Sequence, residues 1–504
     1  MSISQLVPTL PNFASLLWNT AALMSLQDAV VTGDRVTSYG ALRDRAGALA
    51  SVLSVAGLRP GDRVGLFLER GPDAAAGFFG VLAAGGVAVN INENLRPRQV
   101  EYILGHCGAN TLLTSSELLA RLPRSLNAPG TTITTVESVP AAAWFDPVRG
   151  AGMDVAQIIY TSGSTGLPKG VVVSHQNLLE GARAVTSYLA ISRRDRIASL
   201  LPFSFDYGLN QLLCAVSTGA TLVVERASLA DTVVRTLHDQ KVTVLPCVPP
   251  LWLQLLDVQN FRSQPVPSLR AMTNTGGRLP ATAVRELRQA QPHAQLFLMY
   301  GLTEAFRSTY LPPEEADRRP DSIGRAIPGA EILVVKEDGS PCAPGEVGEL
   351  VHRGPTVTMG YWNDPEATSG VFRANPLRPP GAPSGERVVF SGDLVRRDED
   401  GFLYFVGRRD GMIKTLGYRV SPDEVAEVVY ASGEVGECIV RAEPDDVRGA
   451  RIVAFVVLKE GGSLERLTGF CRTELPRYMQ PARFEVRDSL PRTTSGKHDG
   501  KVLQ

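Results

Sequence analysis

YTSGSTGLPKGVVVSH, residues 160–175, is the stretch on which the reading of this chain turns. A β-branched run at 157–160 leads into Thr161, Ser162, Gly163, Ser164, Thr165 and Gly166. Leu167, Pro168, Lys169 and Gly170 follow, and then a second β-branched run. Strand, loop and strand fit that order. Hydroxyls, glycines and a lysine in so short a loop offer backbone N–H groups, O–H donors and an ammonium to a polyphosphate. The spacing is not that of a Walker A loop, which needs GxxxxGK[ST] opening a helix, nor of GxGxxG. Alone, a Ser/Thr/Gly stretch is as often a plain surface turn. The full string is far more specific.

Outward from this loop, short apolar runs alternate with helical patterns. DRVGLFL (62–68), ATLVVE (220–225), VTVLPCV (242–248), LRAMTNTGG (269–277) and AQLFLMYG (294–301) read as strands, LADTVVRTLHDQ and PATAVRELRQAQ as helices. That alternation predicts α/β layers with parallel sheets. From about residue 323 the texture becomes β-rich, and DEDG within VVFSGDLVRRDEDGFLYFVGRRD predicts a hairpin turn. Beyond 410 a small α+β pattern follows, with a helix capped by Ser421, Pro422 in its first turn and Glu424 at its third position. The expected architecture is a large N-terminal domain, 1–409, of two α/β subdomains plus a β-rich one. A small α+β domain, 410–504, completes it.

Composition excludes several classes. Lys plus Arg number 51 against 52 Asp plus Glu, a net charge of −1, so no basic face is expected for nucleic acid or an anionic membrane. The six cysteines are widely spaced, with no CxxC, which argues against a disulfide scaffold or structural zinc and fits a reducing compartment. Residues 1–27 lack charge but are broken by Pro8 and Pro11 and have no basic leader, so no signal peptide is expected. AAAGFFGVLAAGGVAV (74–89) would span about 24 Å as a helix, too short for a bilayer, and reads as a buried helix running into a core strand. A cytoplasmic protein without membrane insertion is the expectation.

YTSGSTGLPKG resembles the signature of the adenylate-forming superfamily, which holds acyl-CoA synthetases, adenylation domains of nonribosomal peptide synthetases, and luciferases. NTGGRLP (274–280), MYGLTEA (299–305), GELVHRGPTVTMGYW (348–362), SGDLVRRDEDGFLYFVGRRDGMIKTLGYRVSPDEV (391–425) and LPRTTSGK (490–497) resemble the same family in the same order. The resemblance covers essentially the whole chain. It implies a carboxylate attacking the α-phosphate of ATP to give an acyl-adenylate, after which a nucleophile displaces AMP. It further implies a small C-terminal lid that rotates between the two steps.

The family roles carry over residue by residue. Glu304 would hold Mg²⁺ and Thr303 would bond the α-phosphate; an oxygen ligand suits that hard cation. Tyr300 would stack on adenine, unless it is simply a core tyrosine, and Gly276 and Gly277 would let the backbone approach the base. Asp393 would accept from both ribose hydroxyls, and Arg408 would pair with ribose or phosphate oxygens. Asp410 matches the hinge. Lys497, which alone reads as part of a basic tail, would reach the carboxylate and α-phosphate as a positioned cation. Asp499 fits the family pattern after it, whereas Gly500-Lys501 departs from the usual arginine.

His175 reads as a structural histidine as readily as anything else. None of the six histidines forms an evident nucleophile–base couple with a serine or cysteine, so no acyl-enzyme is expected. CoA, an amino-acid amine or a carrier-protein thiol would attack the adenylate directly, with any carrier acting in trans. The acid pocket would involve Phe205, Asp206 and Tyr207, then Asn274 and Thr275, then Arg307. PFSFDYG resembles the FD motif of amino-acid-activating domains. Arg307 either reads a second carboxylate or ketone on the substrate or pairs with Glu314 or Glu315. In subgroup the chain resembles exosortase-associated acyl-CoA ligases and ligases that join coronafacate-type acids to amino acids.

Overall fold

The computed structural model describes residues 12–123, 130–140, 145–161, 168–226, 229–379, 381, 383, 385–409, 411, 413–415, 418–445, 449–475, 477, 479–493 and 498–503. Among them the alternating segments fold as expected. Strands Val244–Cys247, Ala271–Asn274 and Thr221–Val224 are buried on both faces, as continuous apolar runs in parallel sheets require. Helix Ala230–Asp239 lies between the first two of them in sequence, and helices Asp206–Thr218 and Ala281–Ala290 come before and after the three.

Seven described strands form one sheet, ordered Gly360–Tyr361, Lys169–Ser174, Val155–Thr161, Val87–Ile91, Arg63–Phe67, Thr111–Thr114 and Thr132–Thr135. The apolar stretch at 74–89 enters it as helix Pro72–Ala83 and strand Val87–Ile91, both buried. A larger sheet runs parallel from Asp28–Thr32 through Thr221–Val224, Arg196–Ser199, Val244–Cys247 and Ala271–Asn274 to Gln295–Tyr300. There the direction reverses. Thr309–Leu311 pairs antiparallel with Gln295–Tyr300, and Ser322–Ala326 and Leu403–Arg408 extend the sheet into the β-rich region. The carboxyl end of the last parallel strand therefore opens where the sheet changes character, the place where ligands bind in open α/β sheets. DEDG joins strands Arg387–Arg397 and Leu403–Arg408, with Gly401 at φ 85°.

The C-terminal residues build their own layer. Strands Val435–Asp445, Gly449–Leu458 and Arg483–Val486 form a sheet, and a cluster including Val425, Val429, Ile452, Ala454 and Leu467 packs beneath it. Ser421 caps helix Pro422–Ala431 by accepting from the Glu424 amide at 3.3 Å. That helix meets the larger part of the chain at the NTGGRLP turn: Glu427 accepts from the Ala281 amide at 2.9 Å and lies 3.7 Å from the Arg278 guanidinium.

All six cysteines are buried and unpaired. Among the described residues no helix is long and apolar enough to cross a membrane.

Two buried histidines set an acid limit on stability. His175 accepts from the Phe13 amide at 3.1 Å, and burial pushes its pKa from 6.5 down to about 4. Burial lowers His352 to about 3. Both rings are neutral in the fold, so the unfolded chain binds protons first as pH drops. Their contribution is whole above pH 6.5 and is lost as pH falls through about 4 and then 3. The loss runs at up to about 1.4 kcal/mol per pH unit for each ring. Denaturant midpoints should fall between about pH 7 and about pH 5, and His352→Gln should flatten that slope.

Candidate active site

The site grows from the carboxyl end of strand Gln295–Tyr300. Tyr300 donates its hydroxyl to Asp393 Oδ2 at 2.5 Å. Burial first, and the Asp393 charge second, push that phenol well above its ordinary range. Asp393 stands opposite Arg408 in the hairpin register, and Arg408 Nη1 lies 3.3 Å from Asp393 Oδ1. The Asp393 amide donates to Ser391 Oγ at 3.1 Å, and Gly392 before it, at φ 71°, donates to Glu349 Oε1 at 3.0 Å. Backbone thus fixes the carboxylate that is expected at the ribose.

After Tyr300 the chain doubles back at Gly301. A Cβ there would sit 3.2 Å from both the Phe306 carbonyl oxygen and Arg307 Cα, so the tight return favours glycine. Thr303–Ala305 is one turn of 3₁₀ helix. Glu304 Oε1 accepts from the Tyr361 hydroxyl at 2.5 Å, while its carbonyl accepts from the Thr358 amide and hydroxyl, each at 2.9 Å. Tyr361 also faces Lys169, whose Nζ is 5.4 Å from the ring centroid and 3.8 Å from Asp364 Oδ2. One tyrosine therefore touches both the exit of the predicted phosphate loop and the predicted metal carboxylate.

Thr161 and Lys169 are paired across strands Val155–Thr161 and Lys169–Ser174, which pins the loop at both ends. Ser162, Gly163, Ser164, Thr165 and Gly166 lie outside the described residues. Tyr102 donates to the Pro168 carbonyl at 3.1 Å, and His106 Nδ1 meets the Tyr160 hydroxyl at 2.7 Å, bracing the same ends from helix Pro97–Cys107. In the NTGG turn Gly276 takes φ 84°, and Asn274 Nδ2 donates to the Gly277 carbonyl at 3.2 Å. Asn274 and Thr275 are buried, and Asn274 Oδ1 has no partner among the described residues.

The acid side departs from one expectation. Arg307 does not pair with Glu314 or Glu315; Glu315 is taken by Arg318 and Arg319. Arg307 turns inward instead, with Nη1 3.1 Å from Asp206 Oδ2. Phe205 precedes helix Asp206–Thr218 as its N-cap, and Tyr207 is held through its hydroxyl by Thr273. The Asp206 carboxylate is thus already paired with a cation of the chain.

One histidine does meet a serine: His352 Nδ1 lies 3.0 Å from Ser308 Oγ, and Nε2 3.0 Å from Thr356 Oγ1. Both His352 and Ser308 are completely buried, so the pair ties strand Val347–Arg353 to the residue before strand Thr309–Leu311 and presents no accessible nucleophile.

Asp410 and Lys497 lie outside the described residues, but the flanks of Lys497 are placed. Arg492 and His498 form an antiparallel bridge, and both bind Glu437, Arg492 Nη2 at 2.5 Å and His498 Nε2 at 3.3 Å. Neither Tyr361 nor Glu437 stands out as a site residue in the sequence. Tyr361 lies inside the GPTVTMGYW motif, which is the available signal; Glu437 has none.

Residues 18–362 match the AMP-binding enzyme family model, and residues 424–497 match its C-terminal domain model. The chain is 33% identical to a linear gramicidin synthase polypeptide of Brevibacillus parabrevis over 94% of its own length and 9% of that protein. It is 31% identical to novobiocin biosynthesis protein H of Streptomyces niveus, over 98% of this chain and 83% of that one. The chain therefore spans less than a tenth of the first relative and most of the second. Among solved structures, o-succinylbenzoate CoA synthetase from Bacillus subtilis, bound to its acyl-adenylate, superposes with a TM-score of 0.85 at 28% identity, covering 98% of each chain. The same enzyme is known with ATP and a magnesium ion. With the family model matching well over half of its length, the chain belongs to the AMP-binding enzyme family.

Proposed function

We propose that the protein is an ATP-dependent, AMP-forming ligase that activates a carboxylic acid as its acyl-adenylate and passes the acyl group to the CoA thiol. The observation that carries this reading is the pair of short hydrogen bonds, Tyr300 to Asp393 and Tyr361 to Glu304. They hold the carboxylates of Asp393 and Glu304, read here as ribose acceptor and metal ligand, through the hydroxyls of Tyr300 and Tyr361. The CoA step is supported by the solved CoA synthetase, which matches along the whole length.

In the first step a substrate carboxylate oxygen attacks the α-phosphorus, and the bond to the pyrophosphate oxygen breaks. In the second the thiolate sulfur attacks the acyl carbonyl and AMP leaves. Thr303 and Lys497 stabilise charge on the α-phosphate, Tyr300 and the NTGG turn enclose the base, and Asp393 with Arg408 orients the ribose. A lone carboxylate suits Mg²⁺, which keeps most of its shell as water and phosphate oxygen, so Glu304 fits that ion. When bound, Mg²⁺ offsets phosphate charge. Residues 410–504 act as the rotating lid, with Asp410 as its hinge. A cytoplasmic setting fits the six reduced cysteines.

A carrier thiol as acceptor is the second reading, favoured by the higher identity to the gramicidin synthase segment. The FD-motif resemblance lends little to an amino-acid substrate, because Asp206, the aspartate of that motif, is paired with Arg307.

The test is a one-pot competition: protein, ATP, Mg²⁺ and a broad acid pool with CoA and mixed amino acids, products read by mass spectrometry. Acyl-CoA masses support the proposal. Amides move the protein to the amide ligases, and AMP without either product points to a carrier thiol.

Tyr361→Phe removes the hydroxyl that orients Glu304 while keeping the ring beside Lys169. A hydrogen bond to a charged group contributes about 1.5–3 kcal/mol, so pyrophosphate release should fall about tenfold or more. The Mg²⁺ concentration for half-maximal rate should rise with it. An unchanged Mg²⁺ titration would return Tyr361 to a packing role.

A further inference from the structure

Arg307 is among the largest fully buried side chains, 2% exposed, just beyond the strand end that carries Tyr300 and Glu304. Its Nη1 is accounted for by Asp206 Oδ2 at 3.1 Å and the Phe306 carbonyl at 2.8 Å. The guanidinium lies 4.8 Å from the Tyr207 ring centroid. Nε and Nη2, by contrast, are buried and have no hydrogen-bond partner among the described residues. Those two nitrogens form one edge of the guanidinium, with parallel N–H bonds spaced to meet both oxygens of a carboxylate. Buried donors left unmade are rare, and they mark a partner that the chain does not supply.

The surroundings favour an anion. Asp206, Asn210 and Cys214 follow one another at four-residue spacing along a single face of helix Asp206–Thr218. Asn210, 1% exposed, also has a donor, Nδ2, without a partner among the described residues. The unfilled groups along this face are donors, so the ligand that completes them is an acceptor. Asp206 neutralises the Arg307 charge. The amino end of the helix, whose N-cap Phe205 offers no side-chain cap, supplies positive potential for one more negative group. Phe306, at φ 60° and ψ −60°, is a buried residue in a conformation that L residues avoid. A Cβ at Gly181 would collide with its ring. That strained backbone aims its carbonyl at Nη1 and leaves the opposite edge of the guanidinium for the ligand.

Resting on the adenylation reading, we propose that the acid this protein activates is a dicarboxylic acid, whose second carboxylate is gripped by Nε and Nη2 of Arg307. One carboxylate meets the α-phosphate, and the other meets the fork behind Tyr207. A monocarboxylic acid leaves the buried edge unmade and is discriminated against for that reason.

The experiment pairs dicarboxylic acids, over a range of aliphatic and aromatic skeletons, with the monocarboxylic acid and the monoamide of the same skeleton. Pyrophosphate release is measured with ATP and Mg²⁺, and melting temperature with acid alone. Wild-type kcat/KM should favour a diacid over both analogues by about a hundredfold. Arg307→Lys, which keeps the charge and loses the fork, should cut that ratio about tenfold without moving the KM for ATP. Where the single variant is poorly folded, Arg307→Met with Asp206→Asn removes both charges together and should invert the preference toward the monoacid.

Release with monoacids as efficient as with their diacids overturns the inference and leaves the adenylation reading standing; a water molecule then fills the fork. Melting raised selectively by a diacid, with no release from any acid, upholds the fork and sinks adenylation. Neither release nor a melting shift overturns both.

Discussion

Glu304→Gln should slow acid-dependent pyrophosphate release by about a hundred- to a thousandfold while the melting temperature stays close to wild type. The substitution is nearly isosteric. A glutamine oxygen still accepts from the Tyr361 hydroxyl, and the carbonyl of residue 304 still accepts from Thr358, so the local turn keeps its bonds. What is lost is a full negative charge beside the phosphates, and with it the hard anionic ligand for Mg²⁺. The loss should resist excess Mg²⁺, in contrast to that of Tyr361→Phe. A rate within about threefold of wild type would remove Glu304 from the metal site.

Lys497→Ala should be as severe, but on one half-reaction alone. An ammonium near the attacking carboxylate and the α-phosphate offsets negative charges crowded together as the new P–O bond forms, and removing such a donor costs about a hundred- to a thousandfold. Supplied with preformed acyl-adenylate, the variant should pass the acyl group to its acceptor at a near-normal rate, because on the proposed lid rotation Lys497 serves the first step alone. Equal loss in both half-reactions would show that residue 497 supports folding or docking of the lid instead. The two variants separate cleanly, since Glu304 belongs to the large part of the chain and Lys497 to the small one.

The elements were legible because their signal is local. Val244–Cys247 and Ala271–Asn274 are buried at every position, and a strand covered on both faces announces itself by its apolar run. Ser421, Pro422 and Glu424 announce a helix start within four residues, and DEDG announces a hairpin within the turn itself. Tyr300, Thr303, Glu304 and Asp393 are picked out as candidates by motifs that are likewise contiguous. The contacts that tune the site are not. Tyr361 meets Glu304 across 57 positions, His352 meets Ser308 across 44, and Arg307 meets Asp206 across 101. Each joins residues whose own neighbourhoods give no hint of the other. The pairing of Arg307 in particular was open: nearby glutamates offered a local partner, and burial against an aromatic face decided for a distant one.

The clamp on Glu437 carries one more consequence. Burial alone would push this carboxyl up, but His498 and Arg492 more than offset it and hold it below the ordinary carboxylate range. A single carboxylate therefore grips the chain at Arg492 and again at His498 and fastens both residues to strand Val435–Asp445. A lysine on a free tail would sample a wide volume, and its local concentration near any one phosphate would be low. Anchoring Arg492 and His498 to one strand fixes the two ends between which Lys497 lies in sequence, and the entropy of that closure is lost once, on folding, instead of in every turnover. On the role proposed for Lys497, Glu437 thus contributes to the effective molarity of its ammonium.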